Sequence, residues 1–325
     1  MNESKYDVSV VIVCMNNLGN LFPCLDSLYN TTKQRSFEAI VVAYMFSEEN
    51  LKLLKEKYPQ VRVYVNNEIK GFSENNNLAL KIAQGKYALI LNDDTYFTDP
   101  LIDTLVADIE KLPHDVAIIS PTIEHINLKK IAKGRMPSNS FARYLCSIIR
   151  INLPRSKKEL SYINGNGIFQ TYNISGCVFL IKMDVFKAMG FFDERYFFGP
   201  EDVALSTKLN ENGYKCYADS DVKITHLQGT TFGKTSMATY PAAVMGRLMF
   251  ICGNSKLKWF IARLCYTLVL VLSVIYLSFV VFFKETDILT IKKTRYVNLL
   301  RVLWTNKTTK EIFEMFYGML QKKIS

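Results

Sequence analysis

The sequence predicts an α/β fold: a mixed, mostly parallel sheet flanked by helices, with an apolar and amphipathic helical region at the C-terminal end. Two observations carry this prediction. Short β-branched runs alternate with amphipathic stretches from the start of the chain, and an uncharged apolar stretch, Leu264 to Phe283, stands near its end.

The elements follow in order. From Val8 to Val13 a β-branched run fits a buried parallel strand, and NLGNLFPCLDSLYN then places Leu21, Cys24, Leu25 and Leu28 on one helical face. FEAIVVA reads as a second strand before the helical SEENLKLLKEKY, and VRVYV as a third before SENNNLALKIAQ. KYALILN reads as a fourth before PLIDTLVADIEKL. Strands alternating with helices of this length imply parallel pairing with helices over both faces.

Residues 127–164 break the rhythm. Lys129, Lys130, Lys133, Arg135, Arg143, Arg150, Arg155, Lys157 and Lys158 fall there with few acids, so the stretch reads as a basic insertion or flap. Such a run is either a solvated face or a surface for diphosphates or anionic lipid headgroups. Order resumes with the strand NISGCVFLIK, a short helix from Asp184 to Met189 and the aromatic loop GFFDERYFFGPED. A helix from Glu201 to Asn212 and strands at KCYA and DVKITH complete the domain.

Leu264 to Phe283 is about the minimum length for crossing a bilayer as a helix, and its uniform apolarity is foreign to a helix on the outside of an α/β domain. Basic residues flank it on both sides: Arg247, Lys256, Lys258 and Arg263 before, Lys284, Lys292, Lys293, Arg295 and Arg301 after. The positive-inside rule therefore gives no orientation, and a re-entrant or interfacial hairpin would keep both flanks in the cytoplasm. The tail from Lys292 to Lys323 resembles an amphipathic segment lying on a membrane. We divide the chain into a domain at 1–240, with its insertion at 127–164, and a membrane-associating region at 241–325.

Composition narrows the partners. A formal charge of +10 with 49% hydrophobic residues suits a membrane surface or a polyanionic substrate. Nucleic acid is not expected, because no recognised motif accompanies the charge. The 7 cysteines show no C-x-x-C pair, which argues against a zinc site or a disulfide framework and for reduced thiols. MNESKYDVSVVIV has no secretory signal pattern, so the bulk of the protein is expected on the cytoplasmic side. No G-x-G-x-x-G follows the first strand, which weighs against a nicotinamide-dependent enzyme.

Three acidic or histidine features carry the chemistry. The fourth strand runs into Asn92, Asp93 and Asp94 in LILNDDT, where an open parallel sheet gathers its ligands. Glu201 and Asp202 follow a Gly-Pro and open a helix, and His226 ends a strand. Taken singly, each is more often a turn, a helix start or a structural histidine. Their order and spacing form a more specific pattern.

With VSVVIVCMNN, EIKGFSENNNLAL, LILNDDT, SGCVFLIKMDVFKAMGFFDERYFFGPEDVAL and VKITHLQG, the chain resembles a family 2 inverting glycosyltransferase of the GT-A fold over Val8 to Gly229. In style it is similar to the bacterial rhamnosyl- and galactofuranosyltransferase-like members that build O-antigen, capsule or cell-wall polysaccharides. The resemblance implies a Rossmann-like nucleotide-diphospho-sugar transferase with Mn2+ or Mg2+ held by Asp94 and His226. It makes Asp202 the general base, with Glu201 supporting it or orienting the acceptor. Asn16, Gly71, Phe72, Asn76, Asn92 and Asp93 become donor contacts, with Asn75 and Asn77 offering further neutral hydrogen-bonding groups beside the diphosphate. The implied donor is a nucleoside-diphosphate sugar, with dTDP-rhamnose or a UDP-sugar favoured, and the acceptor a polyprenyl-diphosphate-linked glycan. Membrane lipid is a further partner, at the cytoplasmic face of the bacterial inner membrane.

Two departures stand out. Ala43 occupies the place of an acid that holds the nucleotide in relatives, so either Glu48, Asp93 or backbone groups take over or nucleotide affinity is altered. Ala204 replaces the second acid of the ED motif. These losses motivate an alternative reading, a catalytically silent partner or scaffold in a polysaccharide assembly complex.

Overall fold

The computed structural model describes residues 4–227 and 235–321. Its first part alternates β1 (Tyr6–Met15), α1 (Leu18–Thr31), β2 (Phe37–Tyr44), α2 (Glu48–Lys57), β3 (Arg62–Asn66), α3 (Phe72–Leu80), β4 (Gly85–Asn92), β5 (Thr95–Tyr96) and α4 (Leu101–Lys111). The centre holds β6 (Val116–His125), β7 (Lys130–Ala132), α5 (Phe141–Ile148), α6 (Lys157–Ser161), β8 (Ile168–Thr171), β9 (Val178–Lys182), α7 (Met183–Ala188), α8 (Glu201–Glu211) and β10 (Lys215–His226). Four helices close the chain: α9 (Ser236–Cys252), α10 (Lys256–Phe283), α11 (Asp287–Val302) and α12 (Thr309–Gln321).

One sheet runs β3-β2-β1-β4-β9-β6-β10-β5, with β7 paired to β6 and β8 to β10. The first four strands are parallel, as their continuous apolar runs imply. The mixed character comes from β9, which lies antiparallel between β4 and β6. Alternation along β1 splits the core into two layers. Val8, Val10 and Ile12 join Leu21, Leu25 and Leu105 on one face, while Val11 joins Leu80, Phe179, Phe186 and Leu205 on the other.

Several elements differ from expectation. β6 was missing, because Ser120, Pro121 and Thr122 interrupt its apolar run although all ten of its residues lie in the sheet. KCYA and DVKITH form a single strand, β10, bent at an irregularity between Asp219 and Lys223. The basic insertion contains β7, α5 and α6.

The C-terminal region brings a larger correction. The tail does not lay its apolar face outward: Leu299, Val302, Leu303, Phe313 and Phe316 are buried with Ala238, Ala242 and Leu248 of α9 in a third core. That leaves α10 as the exposed apolar element. It is long and apolar enough to cross a membrane, about 42 Å at 1.5 Å per residue, yet only 11% of its most apolar stretch is buried. Ala262, Leu270 and Leu277 face inward, while Leu272, Tyr276, Phe279 and Phe282 face out. α11 runs back beside it, because Arg263 donates to the Thr305 carbonyl at 3.1 Å and Trp304 to Thr267 Oγ1 at 2.9 Å. The start of α10, with Arg263, is thereby brought beside Trp304 and Thr305 after α11, while Lys284 caps the opposite end of α10. The end of the tail, 322–325, and the last residues of VKITHLQG, Gln228 and Gly229, lie outside the described residues.

Candidate active site

A cavity of about 410 Å3 opens at the carboxyl ends of β1, β2 and β4. Asp93 and Asp94 leave β4 into it and are nearly buried, at 9% and 8% exposure. β5 fixes the turn that carries them: Thr95 pairs with His226, Thr95 Oγ1 donates to the Asn92 carbonyl at 2.7 Å, and the Leu227 amide donates to the Asp94 carbonyl at 3.0 Å. The last residue of β10 is thereby brought onto the acidic turn. His226 Nε2 stands 3.0 Å from Asp94 Oδ1, and its Nδ1 stands 3.2 Å from Nδ1 of His125.

The electrostatics follow from burial. Burial works against a charge on His226, but hydrogen bonds to Asp94 and Cys177 outweigh it and push its pKa up to about 10. Burial pushes Asp93 up to about 7, and Asp94 beside it adds to the rise, against a hydrogen bond from the Cys14 thiol. His125 is drawn down, first by burial and then by the charge on His226.

Asp202 and Glu201, in the first turn of α8, line the same cavity. Asp202 Oδ2 accepts from Arg135 Nη1 at 2.6 Å and from the Gly176 amide at 3.0 Å, and Oδ1 accepts from the Val203 amide at 2.7 Å. A β-carbon on Gly176 would lie 3.3 Å from that of Asp202, so the glycine lets the backbone reach the carboxylate. Glu201 is buried, accepts from the Gly199 amide, and is held well above the usual carboxylate range by burial and by Asp202.

Among the expected donor contacts, Gly71, Phe72, Asn92 and Asp93 line the cavity with Asp94, Asp202 and His226. Gly71 does so for another reason than approach to a ligand: a β-carbon there would fall 2.2 Å from the Phe197 carbonyl oxygen, and Phe72 donates to that oxygen at 2.9 Å. Three expected contacts are not brought in. Asn16 Oδ1 accepts from Ser47 and Asn50 and ties β1 to the start of α2. Asn76 is buried and donates back to the Phe72 carbonyl within α3. Glu48 lies on a separate groove along α2. Of the three asparagines in a row, Asn75 does line the cavity, and Asn77 staples α3 to the aromatic loop through Phe192 and Glu194.

Sequence reasoning missed Arg135 as a site residue and Phe313 as a wall. Phe313 stacks on Phe197 with centroids 4.4 Å apart, and Thr309 donates to the Arg195 carbonyl, so α12 closes one side of the cavity. Only the apolar periodicity of the tail hinted at this. Tyr44, next to Ala43, also lines the cavity.

The donor set fits a divalent cation. One carboxylate and one imidazole meet at 3.0 Å, nearly buried, with a proton between them that a cation would displace. No group of three or more such side chains able to hold a metal occurs among the described residues, so substrate oxygens and water would complete the shell.

Comparison with known proteins shows the family and the fold. The model for "Glycosyl transferase family 2" matches residues 9–190, more than half of the chain. The chain is 23% identical over 228 residues to the O-antigen biosynthesis protein RfbC of Myxococcus xanthus; this is 67% of the chain but spans only 17% of that relative. Among solved structures it is similar to GalNAc-T7 with UDP, GalNAc and Mn2+, at TM-score 0.55 and 18% identity over 70% of this chain and 44% of that one. It is also similar to the mannosyltransferase PcManGT from Pyrobaculum calidifontis with GDP-Man and Mn2+, at TM-score 0.55 and 15% identity over 94% and 90%. S. aureus TarS 1-349 with UDP aligns at TM-score 0.50 and 18% identity over 71% and 63%. These likenesses show the GT-A fold. The family match ends before Asp202 and His226, whose place in the site rests on the geometry above, and it covers the strands that build the cavity floor: the chain belongs to glycosyl transferase family 2.

Proposed function

We propose that this protein transfers one sugar, with inversion, from a nucleoside-diphosphate sugar to a hydroxyl of a polyprenyl-diphosphate-linked glycan in the synthesis of a bacterial surface polysaccharide. The observation that carries the reading is the convergence of the Asp94–His226 pair and Asp202 on one cavity at the carboxyl ends of the parallel strands. Asp94 and His226 would hold Mn2+ or Mg2+. When bound, the cation neutralises the charge that develops on the leaving diphosphate. Asp202 takes the proton of the acceptor hydroxyl on the face opposite the leaving group, and Arg135 and Gly176 hold its carboxylate in place. Glu201, protonated by burial, anchors the Gly199 turn and with it the aromatic loop. Tyr44, Phe72 and Phe198 give the cavity apolar walls that exclude water from the reacting centre.

The nucleotides and Mn2+ in the names of the similar structures, and the O-antigen role in the name of the curated relative, support the donor class and the pathway class. dTDP-rhamnose or a UDP-sugar is the favoured donor. We place the protein at the cytoplasmic face of the inner membrane, held through the outer face of α10. In this reading 1–240 is the catalytic domain and 241–325 the membrane-associating region, with Phe313 of the latter completing the donor wall.

Thermal stability of the purified chain with UDP, dTDP, GDP and CMP, each with and without Mn2+, tests the proposal, because a ligand of the folded state raises its melting temperature. One diphosphate should stabilise in a metal-dependent way and name the donor class. No stabilisation at millimolar concentration would refute the donor site.

A further inference from the structure

Beside the donor cavity lies a second, larger one of about 800 Å3, and the two share Ser175 and Asp202 in their walls. Lys130, Lys133, Arg135, Arg143, Arg155 and Arg247 line it, and Asp202 is the one acid among the described residues that do. Two of these cations are paired with acids, Arg135 with Asp202 and Arg143 with Glu159 at 2.9 Å, while Lys133 bonds only neutral groups among the described residues, Asn166 at 3.0 Å among them, and keeps its charge unpaired there. Lys130, Arg155 and Arg247 make no ion pair among the described residues and are exposed. Such a wall is complementary to a ligand carrying more than one negative charge.

The far side of this cavity is tied to the apolar helix. Tyr144 of α5 lines it, is 7% exposed, and meets Tyr266 of α10 with hydroxyl oxygens 3.0 Å apart. Past α5 the chain exposes Ile149, Ile151 and Leu153 among Arg150, Arg155 and Lys157, a mixture of apolar and basic side chains suited to a lipid surface. The basic cavity therefore adjoins the donor cavity at Ser175 and Asp202 and, at Tyr144, borders the contact of α5 with α10.

We propose that the second cavity binds the diphosphate and adjoining sugar of a lipid-linked acceptor, with Lys133, Arg155 and Arg247 as diphosphate contacts and the lipid leaving along α5 and α10. The inference rests on the reading of Asp202 as the base and adds which surface selects the acceptor. Its selectivity is for two features on one molecule, a diphosphate and an apolar chain, which neither a free anion nor a neutral lipid carries.

Binding of geranylgeranyl diphosphate to the full chain in detergent micelles, measured by calorimetry without metal, tests this against geranylgeraniol and inorganic pyrophosphate. The lipid diphosphate should bind more tightly than either fragment and should still bind beside saturating UDP and Mn2+. The triple variant K133Q/R155Q/R247Q should weaken it about tenfold or more, as expected when charged hydrogen bonds are lost, while leaving UDP binding intact. R155Q alone, at an exposed loop position, should weaken it by about threefold and keeps the test open if the triple variant misfolds. Equal binding of geranylgeraniol, equal binding of pyrophosphate, displacement by UDP with Mn2+, or unchanged affinity in the variants would each overturn the proposal. Failure of the donor reading shows separately, as absence of any metal-dependent nucleotide binding.

Discussion

Raising the pH from roughly 6.5 to about 8 should strengthen Mn2+ binding by about 30-fold, and this is the most direct test of the Asp94–His226 pair. In the metal-free fold His226 holds its proton up to about 10, against an ordinary value of 6.5. A cation that takes this imidazole must displace that proton, so its apparent affinity rises tenfold per pH unit anywhere well below the folded pKa. Asp93, pushed up to about 7, adds a second proton at the acid end of the range and steepens the dependence there. The sign for stability is opposite. A histidine whose folded pKa is raised stabilises the protein fully below its unfolded value and loses that contribution as the pH climbs through the folded one. The metal-free melting temperature should therefore fall between neutral pH and about 10, more in the native chain than in His226→Gln. Free Mn2+ can be followed by electron paramagnetic resonance in titrations of the full chain without nucleotide. A flat affinity across the range, or an undiminished slope in His226→Gln, would refute the assignment of the pair as metal ligands.

Three further outcomes follow. Asp202→Asn should lower turnover by about 10²- to 10⁴-fold and leave nucleotide affinity unchanged, as separate kcat and binding measurements will show; unchanged turnover removes Asp202 from the base role. Gly71→Ala should destabilise the fold by about 1–3 kcal/mol in urea titrations, because the new methyl collides with the Phe197 backbone and not with a movable side chain. Replacing Phe279, Phe282 and Phe283 together by serine should abolish sedimentation with anionic vesicles while nucleotide-dependent stabilisation persists; persistent sedimentation would place the membrane contact elsewhere. Truncation after Asn254 is the less informative experiment, since it also removes Phe313 from the donor wall.

The parallel half of the fold was legible because its strands are buried on both faces and so read as continuous apolar runs. β6 was not, since Pro121 and flanking hydroxyl residues mask a strand whose place is secured by neighbours on both sides. The tail was misread for a related reason. An amphipathic helix shows that one face is covered but not by what, and here α9, itself unexpected, supplies the cover. At the site, the order and spacing of Asp94, Asp202 and His226 anticipated their meeting, and all three line one cavity. Asn16 and Asn76 were over-read: an asparagine beside a ligand and an asparagine closing a turn have the same letter, and only the hydrogen bonds at 3.0 and 2.9 Å separate them. Arg135 escaped notice as one cation among many in a basic stretch. Its role emerges only when β7 and the bridge between Arg135 and Asn173 carry it to α8.

The two missing acids decide between an enzyme and a silent partner, and the structure shows what stands in their places. Ala43 is fully buried, in register between Cys14 and Val65, while the cavity receives Tyr44 from the end of the same strand and Asp93 from the turn of the neighbouring one. An aromatic wall and a carboxylate thus remain at the end of the cavity where the acid is lost. Ala204 matters less still, because Asp202 draws its hydrogen bonds from Arg135, Gly176 and Val203. A carboxylate at 15% exposure, held by an arginine from a distant insertion and aimed between two cavities, is costly to maintain as mere scaffolding, since removal of its partner would leave a nearly buried charge unpaired. Under the proposed function the same arrangement serves a general base: hydrogen bonds to both oxygens fix its position, and it lines both the proposed donor cavity and the proposed acceptor cavity.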